Sequence, residues 1–168
     1  MDEDEIEALH GEAMDRTGYW GAAGSGCIVV ARDTGRVLLP FRSDEVEEPF
    51  TWGTWGGAVD PGQEPLASAL RELEQESGHQ ADPAGATLAW TFHDVVVGFR
   101  YDTYLVPVDR EFTPTLNWES QDAGWFPLDG LPEDLHPGLQ ALVDDPVGWE
   151  ALRDGVQAIT AHDAPGMG

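Results

Sequence analysis

Residues 52–79 read WGTWGGAVDPGQEPLASALRELEQESGH, a strand or loop that passes through a glycine turn into a carboxylate-bearing helix. Pro61-Gly62 supplies turn chemistry, Pro65 suits a first helical position, and Gly78 suits a left-handed stop. The spacing predicts a helix over 65–77, about three to four turns long. Leu66, Leu70 and Leu73 fall at i, i+4 and i+7 and form a stripe for burial, while Ser68, Glu72, Gln75 and Glu76 project from a different face. Glu72 and Glu76 then stand one turn apart with Glu74 nearby, and like charges at that spacing repel by roughly 0.2–0.5 kcal/mol. A hard divalent cation on carboxylate oxygens, such as Mg²⁺ with substrate phosphates completing its shell, would relieve the repulsion. On spacing alone, the commoner meaning of such a face is plain solvation.

The stretch resembles the Nudix box: Gly, five residues, Glu, seven residues, then Arg-Glu-apolar-any-Glu-Glu-any-Gly-apolar. Gly57, Arg71, Glu72, Leu73, Glu76 and Gly78 match, whereas Gln63, Gln75 and His79 stand where the family has Glu, Glu and an apolar residue. Trp52 and Gly56-Gly57 look like the family's Trp-x-x-Pro-Gly-Gly lead-in, with Trp55 in place of proline, and Asp60-Pro61-Gly62 looks like its acidic-Pro-Gly turn. In the family the Glu at 63 pairs with the Arg at 71. Gln63 still accepts a hydrogen bond from Arg71 but brings no charge, which leaves Glu64 as a substitute partner. The Glu at 75 is usually a metal ligand, and the amide oxygen of Gln75 coordinates without contributing charge, so affinity for at least one ion should fall. His79 reads as a half-exposed spacer, with a pH-sensitive ligand contact as the alternative.

A second passage, Leu116-Asn117-Trp118-Glu119 followed by Asp122-Ala123-Gly124-Trp125-Phe126-Pro127-Leu128, resembles the Nudix stretch in which a Glu precedes a strand reading Trp-apolar-Pro-Leu and then Leu-Pro, here Leu131-Pro132. The resemblance assigns Glu119 as a further metal ligand or the base that activates water, with Asp122 or Glu111 able to stand in. Arg42 to Thr51 forms a polar, acidic loop where Nudix folds commonly line the substrate pocket. Arg42 is therefore a candidate phosphate contact, and Phe50, Trp52 or Trp55 are candidates for stacking on a planar group.

The chain of 168 residues is long enough for one domain, and 41% hydrophobic residues with seven tryptophans argue against disorder. Its 32 acidic against 8 basic residues give a formal charge of −24, and every cation is arginine. That balance argues against nucleic-acid and anionic-membrane partners. A polyphosphate would be repelled from the bulk surface at low ionic strength, so salt should help, and metal ions with local arginines must reverse the sign at the site. Whether the acidity reflects a high-salt host or a solubility device stays open. Cys27, the lone cysteine, lies in an apolar run and reads as a buried strand residue. With no apolar segment of membrane length and an acidic amino terminus, the chain reads as cytoplasmic.

Along the chain, Ile6, Leu9 and Met14 suggest a short amphipathic helix within about residues 1–18, laid on the domain or against a partner copy. The glycine-rich 21–26 reads as a plain loop. Residues 25–32 and 36–41 read as strands joined at Asp33-Thr34-Gly35, with Pro40 confining the second to an edge or its end. Residues 87–97 and 99–108 alternate as neighbouring antiparallel strands around Gly98, in which Arg100 pairs with a carboxylate sooner than with phosphate. Closing helices are expected over 136–144 and 147–159, and residues 163–168 should fray.

Together these imply an α/β fold, a Nudix-like αβα sandwich with a central mixed β-sheet. The resemblance places Mg²⁺ (or Mn²⁺) on Glu72, Glu76, Gln75 and Glu119. It gives catalytic roles to Glu72, Glu76, Glu119 and Arg71, and substrate contacts to Arg42, Trp52, Trp55 and Gly57. The activity it implies is hydrolysis of a nucleoside diphosphate linked to another moiety, a homodimer remaining open. A domain that binds such a ligand without turning it over is the competing expectation, motivated by Gln63 and Gln75, with a purely structural or partner-binding role behind it.

Overall fold

The computed structural model describes residues 23–162, so the expected amino-terminal helix and carboxy-terminal tail lie outside the described residues. At its centre β1 (Ala23–Ala31) is buried along almost its whole length. Alternation sends Cys27, Val29 and Ala31 to one face, against Leu38, Trp55, Ala69, Leu73 and Val106. Ile28 and Val30 point to the other, against Leu39, Leu105, Leu139, Leu142 and Leu152. A strand apolar on both faces must be covered twice, and this one decides the layering.

Beside β1 run β2 (Val37–Arg42), β3 (Trp55–Ala58) and β5 (Phe99–Val108), with β4 (Thr87–Asp94) and β6 (Ser120–Phe126) at the edges. The order is β4-β5-β1-β2-β6, with β3 paired to β1 off that path. β1 is parallel to β5 and antiparallel to β2 and β3, which makes the sheet mixed. Helix α1 (Pro65–Ser77) packs on β1 and β3, on the face of Cys27. On the opposite face lie α2 (Pro137–Asp144) and α3 (Pro146–His162), completing the αβα sandwich. Asp145 separates these last two, accepting from the amides of Val147 at 2.8 Å and Gly148 at 2.9 Å.

Two local expectations are corrected. Residues 23–26 are strand and not loop, because the missing side chains admit close neighbours: a Cβ on Gly26 would lie 2.2 Å from the Tyr101 hydroxyl and 2.6 Å from Thr54 Oγ1. β2 is an interior strand despite Pro40. It pairs with β1 only at Leu38 and Val37, while β1 pairs with β3 from Gly24 to Cys27, so Pro40 lies where β2 has already left β1.

Candidate functional site

Helix α1 begins at Pro65 and stops at Gly78, whose φ of 79° is left-handed and whose amide donates to Glu74 O at 2.8 Å, as the sequence anticipates. Between those ends the burial departs from expectation. Ser68 (1% exposed) and Glu76 (4%) are buried, whereas Gln75 is exposed. The reason is that the helix packs on both β1 and β3: Leu70 and Leu73 join the core with Cys27, Val29 and Trp55, and Glu72 lies beside the glycine strand β3. A Cβ on Gly57 would lie 3.4 Å from Glu72 Cδ.

Glu119 reaches this helix from the turn before β6. Ser120 N donates to Asn117 O at 3.4 Å and Glu119 N to Asn117 Oδ1 at 3.0 Å. Ser43 ties the turn to the end of β2, its amide donating to Glu119 O at 2.9 Å and its hydroxyl to Trp118 O at 2.8 Å. One carboxylate oxygen each of Glu72, Glu76 and Glu119 then lie within 4.8 Å of one another.

Three acids at that separation repel. Burial holds the Glu76 carboxyl well above the usual range, the charges of Glu119 and Glu72 add to the shift, and Arg42 opposes it. Glu119 is raised by burial and then by Glu72, with Arg42 and the Asn117 hydrogen bond opposing. Glu76 Oε2 is buried with no hydrogen-bond partner. An unpartnered buried oxygen facing two more carboxylates fits a hard divalent cation, the ligand class that takes several such oxygens and offsets their charge.

The remaining candidates fall into place around the cluster. Arg71 Nη2 donates to Gln63 Oε1 at 3.0 Å, so Gln63 itself keeps the contact and Glu64 is not needed for it. The Arg42 guanidinium donates from Nε (2.8 Å) and Nη2 (2.5 Å) to Glu47 O, at the side of the cluster where it bears on Glu76 and Glu119. Glu111 is paired with Arg36 and Asp122 is exposed, its carboxylate taken by the amide of Ala123, so neither substitutes for Glu119. Arg100 pairs with Asp102 at 3.2 Å. His79 stacks on Phe112 with centroids 5.1 Å apart, and burial lowers its pKa. Its neighbouring groove of about 400 Å³, between Arg32, Asp82 and Val108, contains none of the three acids.

The aromatics require correction. Trp55 is 0% exposed and its indole N–H donates to Leu38 O at 3.0 Å, so it is a core residue with no surface to offer a ligand. Trp52 is half-buried between Phe41 and Phe126, at centroid distances of 4.8 and 4.9 Å. Among the described residues Phe50 and Trp118 are the exposed large aromatics, at 50% and 61%. Sequence reasoning passed over Trp118; the available signal was an aromatic beside an acid inside a turn, outside any alternating pattern. Cys27 is buried, and burial followed by the nearby Glu76 charge pushes its thiol up to about 12, which leaves it inert.

Among the described residues no helix is long and apolar enough to cross a membrane. The CMP-5'-(N-acetyl-N-hydroxy-3-aminopropyl)phosphonate hydrolase of Streptomyces rubellomurinus is 30% identical over 149 residues, covering 88% of this chain and 72% of that one. The NAD-capped RNA hydrolase NudC of Stutzerimonas stutzeri is 30% identical over 134 residues, 74% of this chain but only 46% of that one. Of solved structures, the Nudix hydrolase RenU from M. smegmatis superimposes with a TM-score of 0.64 at 25% identity, over 84% of this chain and 89% of that one. A C. elegans Ap4A hydrolase shares the fold at a TM-score of 0.58 and 19% identity, over 82% and 98% respectively. The family model of the NUDIX domain matches residues 22–145, and by that match the chain belongs to the NUDIX family.

Proposed function

We propose that the protein is a metal-dependent hydrolase that cleaves a diphosphate bond in a nucleoside diphosphate linked to another moiety. The observation that carries this reading is the convergence of Glu72, Glu76 and Glu119, one of which is buried with a carboxylate oxygen left unpartnered. The relatives are hydrolases named for a CMP-phosphonate and for NAD-capped RNA, which agrees with a nucleotide substrate.

Glu72, Glu76 and Glu119 would hold Mg²⁺ or Mn²⁺. Bound there, the ion would supply Lewis-acid stabilisation of the charge that develops on the diphosphate. Glu119, half-buried on a turn fixed by Asn117 and Ser43, would be the carboxylate that accepts a proton from an attacking water. Arg42 brings positive charge to phosphate at the rim. Arg71 acts at one remove, holding the loop before α1 through Gln63. Gly57 leaves β3 bare beside Glu72, where a Cβ would come into van der Waals contact with the carboxylate. Gln75, exposed and neutral, adds no charge, and this favours the second reading, a domain that binds a nucleotide without turnover.

Release of phosphate and nucleotide from a panel of nucleoside diphosphate derivatives, with Mg²⁺ or Mn²⁺ and from low to molar salt, separates the two readings. Cleavage of one compound only with metal, abolished in Glu76→Gln, is the expected result. Binding without turnover of any compound would replace the enzyme with the binding domain.

A further inference from the structure

We infer that Trp118 is the platform on which the substrate's base stacks, which makes it a specificity-determining residue of the site; this rests on reading the carboxylate cluster as the reaction centre. The indole is 61% exposed, although a ring of that size is ordinarily worth burying. Its exposure does not come from a loose loop. Trp118 O accepts from Ser43 Oγ, Glu119 O accepts from Ser43 N, and Asn117 closes the turn by accepting from the amides of Glu119 and Ser120. Four hydrogen bonds thus fix the backbone on either side of the ring while the ring itself stays in solvent.

Its position is equally specific. Trp118 immediately precedes Glu119, whose carboxylate belongs to the cluster, and consecutive Cα atoms are about 3.8 Å apart. In the proposed complex a nucleotide whose phosphates reach the acids sets its base on this neighbouring indole. The other described tryptophans are committed: Trp55 is enclosed, Trp52 is packed between Phe41 and Phe126, Trp90 pairs with Phe92, Trp125 pairs with Phe112, and Trp149 is partly buried in the core. Phe50 leans on Phe41 at 6.4 Å, whereas Trp118 is in no ring pair among the described residues. Stacking also suits a surface of net charge −24, because it attracts the neutral base without demanding a cation. Every base has a π-face, so the ring selects for the presence of a base more than for its identity.

The test compares equilibrium binding of ADP, CDP and inorganic pyrophosphate, with Mn²⁺ present, to wild type, Trp118→Ala and Trp118→Phe. Melting temperatures confirm that both variants fold. Expected are a loss of about tenfold or more for ADP and CDP in Trp118→Ala, retention of most of that affinity in Trp118→Phe, and unchanged pyrophosphate binding. Quenching of tryptophan fluorescence by ADP should disappear with Trp118→Ala. Equal effects on all three probes, no effect on any, or wild-type binding of ADP and CDP no tighter than pyrophosphate would overturn the inference. These are binding measurements, so absence of turnover would sink the hydrolase reading and leave the base-dependent difference to decide the role of Trp118.

Discussion

Glu111 accepts from Arg36 Nη2 (2.5 Å), Arg36 Nε (2.6 Å) and Thr34 Oγ1 (2.6 Å), whereas Glu76 faces Glu72 and Glu119 with one oxygen unpartnered. Burial acts to raise both. At Glu111 the hydrogen bonds from Arg36 and Thr34 and the arginine charge outweigh it and bring the carboxyl down; at Glu76 two like charges reinforce it. With 8 arginines to distribute among 32 acids, the chain supplies a full partner to a structural carboxylate and withholds one from the cluster. An uncompensated buried acid costs stability unless it is protonated or meets a cation. The contrast therefore separates a carboxylate that ties the β1–β2 turn to the segment after β5 from a cluster that lacks such a partner.

The largest break in that contrast is at Glu76. Replacing it with Gln should lower metal-dependent turnover on the order of 10²-fold or more, the scale on which loss of one group that stabilises developing charge is felt; steady-state rates on the cleaved substrate decide it, and a rate within about tenfold of wild type would count against a central role. Without metal the same variant should be the more stable at neutral pH. The folded pKa of Glu76 lies above its ordinary value of 4.5, so the folded state keeps a proton that the unfolded chain gives up. Stability from this group is full below that value and is lost as pH rises through the folded pKa. The melting-temperature advantage of Glu76→Gln over wild type should therefore grow from pH 4.5 upward, and a gap independent of pH would contradict it.

Next in size is metal itself. Mn²⁺ at about 100 times its dissociation constant should stabilise wild type by about 2.7 kcal/mol, and Glu119→Gln should need a higher concentration for the same shift. Arg36→Ala tests the satisfied partner. It should cost up to about 1 kcal/mol, since its guanidinium is 43% exposed, and leave turnover unchanged. Smallest is Gln75→Glu, where a charge on an exposed position should alter metal affinity by less than about fivefold; a larger gain would bring position 75 into the ligand set.

How far these features were legible in the sequence depends on whether they are local. Pro65, Gly78 and the Leu70–Leu73 stripe encode α1 within one stretch of chain, and its ends fall where the residues put them. The Glu72–Glu76 spacing likewise sets two carboxylates one helical turn apart, although spacing alone favoured a solvated face and only the resemblance read them as ligands. Glu119 needed the resemblance, because no periodicity links a turn near β6 to a helix some forty residues earlier. What stayed hidden was the sharing of α1 by two strands. It buries Ser68 and Glu76, which sit on the polar face by pattern, and leaves Gln75 outside. Trp55 misled and Trp118 went unnoticed for the same reason: an aromatic's exposure depends on what the fold brings over it, and the first is enclosed beside β2 while the second is 61% exposed.

The central claim, that Glu72, Glu76 and Glu119 form one divalent-cation site, is met most directly by calorimetric titration of Mn²⁺ into metal-free wild type and Glu76→Gln at pH 5 and pH 8. Wild type should bind more tightly at pH 8 and release protons at the lower pH, and Glu76→Gln should lose both the affinity and the proton release. Equal Mn²⁺ binding by the two proteins at both pH values would place the ion elsewhere and contradict the claim.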